Sequence, residues 1–299
     1  MTQWQPSATL AALQKRAAVN HFIRSFFAER HVMEVETPLL MQATAAEPHL
    51  QHFHIAGRAL QTSPESAMKR LLCAGSGPIY QLCKAFRLGE QGRRHNPEFT
   101  MLEWYQPDYS FTDIIDETVA LIQSILGEKS VETHRYAEVF KSVAGLNPHT
   151  ATINDLKTYA DAHIDGVFDD MTVSDWLDLI MSQCVEPQFD PTKLTVITEF
   201  PACQAALAKT SLDTMGNAIA RRFEVYSGGL ELANGYDELC DPVQLDEVLD
   251  GNDALMLAAF KAGTLRQCCG VALGVDRLLM LTSNTQSLSE VLAFDYSRA

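Results

Sequence analysis

The chain has 299 residues, of which 46% are hydrophobic, so it is long enough to bury one large core or two modest ones. It contains no apolar run long enough to cross a bilayer. The N-terminus lacks the basic segment followed by an apolar segment that is typical of an export signal, which predicts a cytoplasmic protein. The net charge is −15 and no basic stripe is visible, which argues against stable binding to nucleic acid or to a membrane. The seven scattered cysteines, with no C-x-x-C pair, predict reduced thiols.

The first part of the chain predicts helices and strands in alternation. Apolar residues at helical spacing predict an amphipathic helix over residues 8–30, with Ser7 as its cap, followed by a short strand over 31–35. Two apolar strands are predicted over 78–88 and 98–105, joined by a polar loop. Ser110 with Asp113 predicts a capped helix that ends at Gly127.

The second part of the chain contains a predicted hairpin between helices. The helices are predicted over residues 174–184 and 253–261, and a strand over 194–197. Residues 221–226 and 230–233 are predicted to pair across a Ser-Gly-Gly turn. A buried strand over 271–273 is expected to lead through Gly274 into a last helix. The prediction is an α+β fold with a mostly antiparallel sheet.

A basic cluster joins the two strands of the first predicted hairpin. Arg87 ends one strand, and the loop reads RRHNPEF from Arg93 to Phe99. Guanidinium groups bind phosphate oxygens in pairs of hydrogen bonds, and an aromatic ring offers a face for a base. The cluster fits either a triphosphate site or a solvated basic turn.

The second predicted hairpin carries carboxylates, namely Glu224, Glu231 and, farther along, Glu238. Glu224 and Glu231 are expected to face each other across the turn. Carboxylates held this close repel one another unless a hard cation or an ammonium group neutralises them. The flanking sequence GLELANG is too apolar for an exposed rim, which favours a site over solvated strand residues.

A third cluster, residues 270–277, reads GVALGVDR. Small residues let the backbone approach a ligand closely. Arg277 is predicted in the first turn of the last helix, where the helix dipole disfavours a cation, so a bound anion is expected beside it.

Together the three clusters resemble the signature motifs of class II aminoacyl-tRNA synthetases, in order and at suitable spacing. Residues 33–40, ending after Pro38, look like motif 1, whose role in the family is a homodimer interface; residues 86–105 look like motif 2, and 274–277 like motif 3. The stretches TSPE at 62–65 and HNPEFTMLEWY at 95–105 are closest to the lysine branch.

Two features resemble the short paralogues of lysyl-tRNA synthetase that attach lysine or (R)-β-lysine to elongation factor P. Few residues precede motif 1, so residues 1–299 are expected to form a single catalytic domain without the OB-fold that reads the anticodon. Ala272 stands in motif 3 where lysyl-tRNA synthetases carry glycine. The resemblance implies ATP and Mg²⁺, elongation factor P as the acyl acceptor, and a homodimer.

The resemblance also implies roles for individual residues. Arg87 and Arg277 would be catalytic, and the metal ligands would be Glu224 and Glu231. ATP would be bound by Arg87, Glu90, His95, Asn96, Phe99, Glu231 and Arg277. The substrate would be bound by Ser63, Glu65, Glu103, Tyr105, Asn234, Glu238 and Ala272. A diamine with one carboxylate needs two anionic poles and one cationic pole; the carboxylates of this set would supply the first and Arg87 the second.

Two departures from the family pattern are visible. The family places a glutamate two residues after the motif 2 arginine, whereas this chain has Gly89 there and Glu90 next. Either Glu90 substitutes after a small loop shift, or backbone alone holds the adenine amino group. The segment 241–267 is also shorter than in the family and lacks its basic stretch.

The expected reaction has two steps. The substrate carboxylate attacks the α-phosphorus of ATP in line, and an amine then takes the acyl group from the adenylate. Three alternatives stay open. They are a stand-alone enzyme that charges tRNA, a free-standing amide synthetase, and a non-catalytic regulatory paralogue.

Overall fold

The computed structural model describes residues 4–42, 51–166, 168 and 170–299. The described helices are α1 Leu10–Glu29, α2 Glu65–Cys73, α3 Phe111–Leu126, α4 Tyr136–Ala144, α5 Ile153–His163, α6 Val173–Ile180, α7 Pro242–Leu249, α8 Ala254–Ala262 and α9 Val275–Ser283. The described strands are β1 Met33–Glu34, β2 Leu40–Met41, β3 His54–Ile55, β4 Arg58–Leu60, β5 Ile79–Phe86, β6 Glu98–Pro107, β7 Val131–Arg135, β8 Leu194–Pro201, β9 Thr210–Leu212, β10 Ala218–Tyr226, β11 Glu231–Asp237 and β12 Cys268–Gly274.

The chain divides into two compact units. The first unit comprises Met1–Gly127 together with Leu239–Ala299, and the second comprises Glu128–Glu238. The expectation that residues 1–299 form a single catalytic domain stays a prediction. Among the described residues, no helix combines the length and the apolar character that a bilayer crossing requires.

The first unit is built on a sheet in the order β1, β5, β6, β12. β1 pairs with β5 in parallel, whereas β5 with β6 and β6 with β12 are antiparallel. Helix α9 packs on β6, and α1 and α3 pack on α9. The ring of Phe27 lies 4.5 Å from Tyr80 and 5.5 Å from Trp104 between ring centroids, so α1 is fixed to the sheet by aromatic packing.

The second unit contains strands in the order β11, β10, β8, β7, with β9 also paired to β10. β7 and β8 are parallel and the other pairs are antiparallel. Helix α4 packs on β8, and α5 packs on α6. Tyr136, Phe140 and Trp176 are fully buried in the resulting core. The predicted α+β fold with mostly antiparallel strands is confirmed.

The predicted hairpin of the second unit closes as a two-residue turn. Ser227 and Leu230 exchange backbone hydrogen bonds of 3.0 and 3.3 Å. Gly228 and Gly229 between them have φ values of +58° and +69°, a left-handed conformation that glycine adopts without strain. A Cβ on Gly229 would lie 2.6 Å from the carbonyl oxygen of Glu186, so close packing also requires glycine.

Other predictions about elements are confirmed, with two corrections. Ser110 and Asp113 form the capping box of α3, and β12 leads directly into α9. The cap of α1 is Thr9, not Ser7, because Ser7 instead binds the backbone of Asp295 near the C-terminus. The helix predicted over 174–184 ends at Ile180 and continues as a π-helical turn, Met181–Val185. All seven cysteines are free thiols.

Candidate active site

The motif 2 hairpin brings Arg87, Glu90 and Phe99 together. Strands β5 and β6 pair from Ile79 opposite Tyr105 to Phe86 opposite Glu98, so Arg87 begins the connecting loop. The Arg87 guanidinium carbon lies 5.2 Å from the centroid of the Phe99 ring, and Nη1 lies 3.6 Å from Oε1 of Glu90. A cation and an aromatic face are therefore presented side by side, as a nucleotide site requires.

Gly89, at the position where the family carries a glutamate, has a backbone conformation that disfavours a side chain. Gly89 has φ +88°, a left-handed conformation that side-chain residues rarely adopt. A glutamate at that position would be strained, whereas Glu90 contacts Arg87 without strain. That Glu90 takes the role of the family's glutamate after a small loop shift stays a prediction.

Arg277 and His95 meet, although they are far apart in the chain. Nη2 of Arg277 lies 2.9 Å from Nε2 of His95, and the contact is exposed. Asp276 fixes the start of α9, since its carboxylate accepts from the backbone N–H of Thr100 at 2.7 Å and from Arg16 at 2.5 Å. The two predicted phosphate-binding side chains thus lie together, Arg277 on the anchored first turn of α9 and His95 on the loop between β5 and β6.

Asn96 is predicted to bind ATP, and both polar atoms of its side chain form hydrogen bonds with the protein backbone. Its Nδ2 donates to the carbonyl oxygen of Glu98 at 2.6 Å, and its Oδ1 accepts from the backbone N–H of Tyr296 at 3.0 Å. Nearby, the backbone N–H of Leu288 donates to the carbonyl oxygen of Arg93 at 2.9 Å. The Asn96 side chain therefore shapes the loop and holds the C-terminal segment against it.

Glu103 is a buried carboxylate in the middle of the sheet of the first unit. It is 3% exposed, and its Oε1 accepts a 2.6 Å hydrogen bond from the Tyr105 hydroxyl. The register places Gln81 and Ala272 on either side of Glu103, so all three side chains lie on one face. Burial, together with the Glu103 charge, raises the pKa of the Cys83 thiol to about 12.

Ser63 and Glu65 lie at the start of α2. Ser63 Oγ accepts from the backbone N–H of Glu65 at 3.1 Å. Glu65 Oε1 accepts from Nζ of Lys69 at 2.7 Å, and Lys69 is only 1% exposed. Sequence reasoning missed Lys69, although its place four residues after Glu65 on a helix was a usable signal. One carboxylate oxygen of Glu65 thus already forms an ion pair with Lys69 within the protein.

The register of the second hairpin corrects one expectation. Glu224 lies opposite Asn234, and Glu231 lies opposite Tyr226, so the two glutamates do not face each other. The turn at Gly228 and Gly229 by itself pairs Glu231 with Tyr226, two residues from Glu224. The register shift between Val225 and Tyr226 then moves the partner of Glu224 from Ala233 to Asn234. The two carboxylates are still close. Burial raises the pKa of Glu224. The positive charge of Arg222 lowers this pKa, and the negative charge of Glu231 raises it.

Two residues that sequence reasoning missed hold Glu224. Nη2 of Arg222 forms an ion pair with Oε1 of Glu224, and the Tyr226 hydroxyl donates to Oε2. The three residues occur at alternate positions of β10, which places them on one face of the strand. That alternation, R-F-E-V-Y, was the available signal.

Asn234 and Glu238, both predicted to bind the substrate, are placed by β11. Asn234 Oδ1 accepts from Nε of Arg222 at 3.2 Å, and its Nδ2 donates to the Tyr236 hydroxyl at 3.1 Å. Glu238 is 2% exposed and is fixed by a backbone bridge to Ala208. Among the described residues, no group of three or more His, Cys, Asp or Glu side chains is placed to hold a metal ion.

Comparison with known proteins agrees with this geometry. The family described as tRNA synthetases class II (D, K and N) matches residues 2–298. The chain is 42% identical to the elongation factor P–(R)-β-lysine ligases of Enterobacter sp. (strain 638) and Salmonella gallinarum, over 99% of this chain and 98% of each relative. The ligase of Edwardsiella ictaluri is likewise 42% identical, over 100% of this chain and 99% of the relative.

These matches confirm the predicted class II synthetase core and the likeness to enzymes that ligate a lysine derivative to elongation factor P. The fold, the arginine hairpin and the anchored start of α9 agree with that assignment. The chain belongs to the class II tRNA synthetases of the D, K and N group.

Proposed function

We propose that this chain activates (R)-β-lysine, or lysine, with ATP as an adenylate and transfers the acyl group to a lysine ε-amino group of elongation factor P. The observation that carries the proposal is the meeting of Arg87, Phe99 and Glu90 on the motif 2 hairpin. It occurs in a chain that curated elongation factor P ligases match almost end to end. The first step is adenylation and the second is acyl transfer.

In the first step, Arg87 acts at the α-phosphate of ATP. A substrate carboxylate oxygen forms a bond to the α-phosphorus while the bond to the β-phosphate oxygen breaks, so pyrophosphate leaves with the electron pair. Arg87 stabilises the charge that develops on the α-phosphate oxygens. Phe99 offers its ring to the adenine, and Arg277 with His95 binds the outer phosphates. The protein supplies no nucleophile, so its contribution is position and charge.

Glu224 and Glu231 form a donor set that suits Mg²⁺. Each Glu224 oxygen accepts one hydrogen bond from the protein, and a carboxylate oxygen has a further lone pair available. Mg²⁺ is typically bound by one or two carboxylates together with substrate phosphates. When bound, the ion neutralises phosphate charge. Glu224 and Glu231 would hold it, and Arg222 and Tyr226 keep Glu224 oriented.

The proposed substrate is a diamine, and the predicted substrate-binding residues include buried acids. Glu103 and Glu238 are almost fully buried, so each gains when an ammonium group neutralises it. Tyr105 donates to Glu103 and thereby orients one carboxylate. Asn234 would orient the substrate carboxylate, and Ser63 and Glu65 complete the set at the start of α2. In the second step, an amine nitrogen forms a bond to the acyl carbon, the bond from that carbon to the phosphate oxygen breaks so that AMP leaves with the electron pair, and the nitrogen releases a proton to solvent.

The proposed acceptor is elongation factor P, which the names of the relatives support. We place the activity in the cytoplasm, where free thiols such as those of this chain persist and where translation factors act. A net charge of −15 supports a protein acceptor over stable tRNA binding.

The test is a two-stage assay with the purified protein. ATP–pyrophosphate exchange with each lysine isomer reports the adenylate, and intact-mass analysis of elongation factor P reports the transfer. We expect exchange with at least one isomer and a mass increase of one lysyl group. An acceptor whose target lysine is replaced by arginine is the control and should stay unmodified.

The same assay separates the alternatives. Charging of bulk tRNA without modification of elongation factor P would identify a tRNA-charging enzyme. Exchange without either product would indicate an amide synthetase with another acceptor. No exchange with either isomer would contradict the proposed activity and support a non-catalytic paralogue.

A further inference from the structure

One arginine in the second unit contacts two side chains to which the proposed function gives different tasks. Arg222 lies on β10, two residues before Glu224, and its side chain is 17% exposed. Its guanidinium reaches three acceptors at once. Nη2 forms the ion pair with Oε1 of Glu224, Nε donates to Oδ1 of Asn234 at 3.2 Å, and Nη1 donates to the carbonyl oxygen of Gln204 at 2.9 Å.

The plane of the Arg222 guanidinium is also fixed by aromatic rings. Its central carbon lies 4.6 Å from the centroid of the Phe200 ring and 5.9 Å from that of Tyr236. A guanidinium packed against rings and bonded along its edge has little freedom to rotate. The Arg222 guanidinium is therefore a rigid group that fixes the side chains of both Glu224 and Asn234.

We propose that Arg222 is a positioning residue that sets the proposed Mg²⁺ ligand Glu224 and the proposed substrate-orienting group Asn234 together. The inference rests on the proposed function, since those two roles come from it. Residues that hydrogen-bond to a metal ligand orient it, and their loss typically costs about 10- to 100-fold in metal affinity or activity. Tyr226 completes the arrangement because it holds the second oxygen of Glu224.

A simpler role would be that Arg222 only neutralises a buried carboxylate. The two roles predict different results when lysine replaces Arg222. A lysine keeps the positive charge, but its donors share one nitrogen on a flexible stem, so it cannot bond along an edge to three separated acceptors. If neutralisation is the whole role, Arg222→Lys works normally, whereas positioning requires the guanidinium.

The test compares Arg222→Lys with the same substitution at the neighbouring position. Arg221 is 39% exposed and its Nε lies 2.7 Å from Oδ2 of Asp237, so Arg221→Lys is a matched control away from Glu224 and Asn234. Three quantities are measured for each protein. They are the Mg²⁺ concentration for half-maximal pyrophosphate exchange, the KM for lysine, and the Mg²⁺ dependence of binding of a non-hydrolysable ATP analogue by calorimetry.

We expect Arg222→Lys to raise the Mg²⁺ midpoint about 10- to 100-fold and to raise the KM for lysine, in a protein with wild-type circular dichroism. Arg221→Lys should change none of the three quantities. Tyr226→Phe should raise the Mg²⁺ midpoint without changing the KM for lysine, because its hydroxyl contacts Glu224 and Glu186 and not Asn234.

Wild-type values for Arg222→Lys in both the Mg²⁺ midpoint and the KM would overturn the proposal. If Arg222→Lys does not fold, Tyr226→Phe decides, and an unchanged Mg²⁺ midpoint there overturns the positioning of Glu224. Failure of the proposed function is a separate result. It appears as no exchange in the wild-type protein, and the calorimetric comparison of binding then still tests the Arg222 contacts.

Discussion

At the scale of single residues, Arg87 has the most direct proposed role in the reaction. The Arg87 guanidinium lies over the Phe99 ring and beside Glu90, and these two contacts hold it at the start of the motif 2 loop. We expect Arg87→Ala to lower the rate of pyrophosphate exchange by about 10²- to 10³-fold, because it removes a donor that stabilises the transition state. The protein should remain folded, as judged by circular dichroism.

The matched control is Arg135→Ala, which removes an arginine that is 47% exposed and paired with Glu199 on the second unit. It should exchange pyrophosphate at the wild-type rate. Wild-type exchange by Arg87→Ala as well would show that the adenylation site lies elsewhere.

We expect Ala272 to influence which lysine isomer is used. Its methyl group lies beside Glu103 on the same face of the sheet, so it adjoins a proposed substrate-binding carboxylate. In β-lysine the amino group is one carbon farther from the carboxylate than in α-lysine, and the methyl would crowd the α-amino position. We expect Ala272→Gly to shift the ratio of exchange toward α-lysine by about 10- to 200-fold, the discrimination that one methyl can supply.

The comparison is made with both isomers on wild type, Ala272→Gly and Ala59→Gly. Ala59 is buried on β4, so its loss removes a strand methyl that does not adjoin Glu103. The isomer ratio should move only for Ala272→Gly. Equal ratios in all three proteins would mean that Ala272 merely packs the strand.

At the scale of elements, α3 depends on its N-terminal cap. Ser110 Oγ accepts from the backbone N–H of Asp113 at 3.2 Å, and the Ser110 backbone N–H donates to the Asp113 carboxylate at 2.9 Å. We expect Ser110→Ala to lower the free energy of unfolding by about 1 kcal/mol, measured by urea denaturation. The substitution leaves a helix-end N–H without its side-chain acceptor.

Ser124→Ala in the same helix is the control. Ser124 donates to the carbonyl oxygen of Ala120 within the helix, and alanine is the better helix former, so this variant should lose no stability. An equal loss in both variants would rule out the cap as the cause.

The pH dependence of this cap has a definite sign. The hydrogen bonds from Ser110 lower the pKa of Asp113 below its ordinary value. A carboxylate with a lowered folded-state pKa contributes stability above its unfolded pKa and loses it as the pH falls through the folded pKa. The difference in the free energy of unfolding between wild type and Ser110→Ala should therefore become smaller as the pH falls through the pKa of Asp113.

At the scale of the whole molecule, exposed apolar side chains support the proposed homodimer. Met33, Leu39 and Leu40 in motif 1 are 50%, 39% and 40% exposed. Exposed apolar surface of this kind is typical of an interaction site, and two-fold dimers are the commonest soluble assembly. We expect light scattering at micromolar concentration to give the mass of a dimer, and Leu40→Lys to give a monomer.

Leu212→Lys serves as the control for that substitution. Leu212 is 70% exposed on β9 of the second unit, outside motif 1, so a charge there should leave the dimer intact. A wild-type protein that scatters as a monomer would contradict the homodimer.

Features that rest on local chemistry could be predicted from the sequence. The capping box of α3, the Gly-Gly turn of the second hairpin and the entry of β12 into α9 each depend on residues a few positions apart. Periodicity and turn residues reveal such features because hydrogen bonds and backbone conformation act between near neighbours. The class II motifs likewise gave the family and the candidate residues.

Which side chains meet is visible only in the folded chain. The turn at Gly228 and Gly229 pairs Tyr226 with Glu231, and a shift of register between Val225 and Tyr226 then puts Asn234, rather than Ala233, opposite Glu224. The pairing of Arg277 with His95 and the three-way contact of Arg222 join residues that are distant in the chain or on separate strands. Such contacts depend on how the elements pack, because no local preference specifies where a long side chain finds its partner.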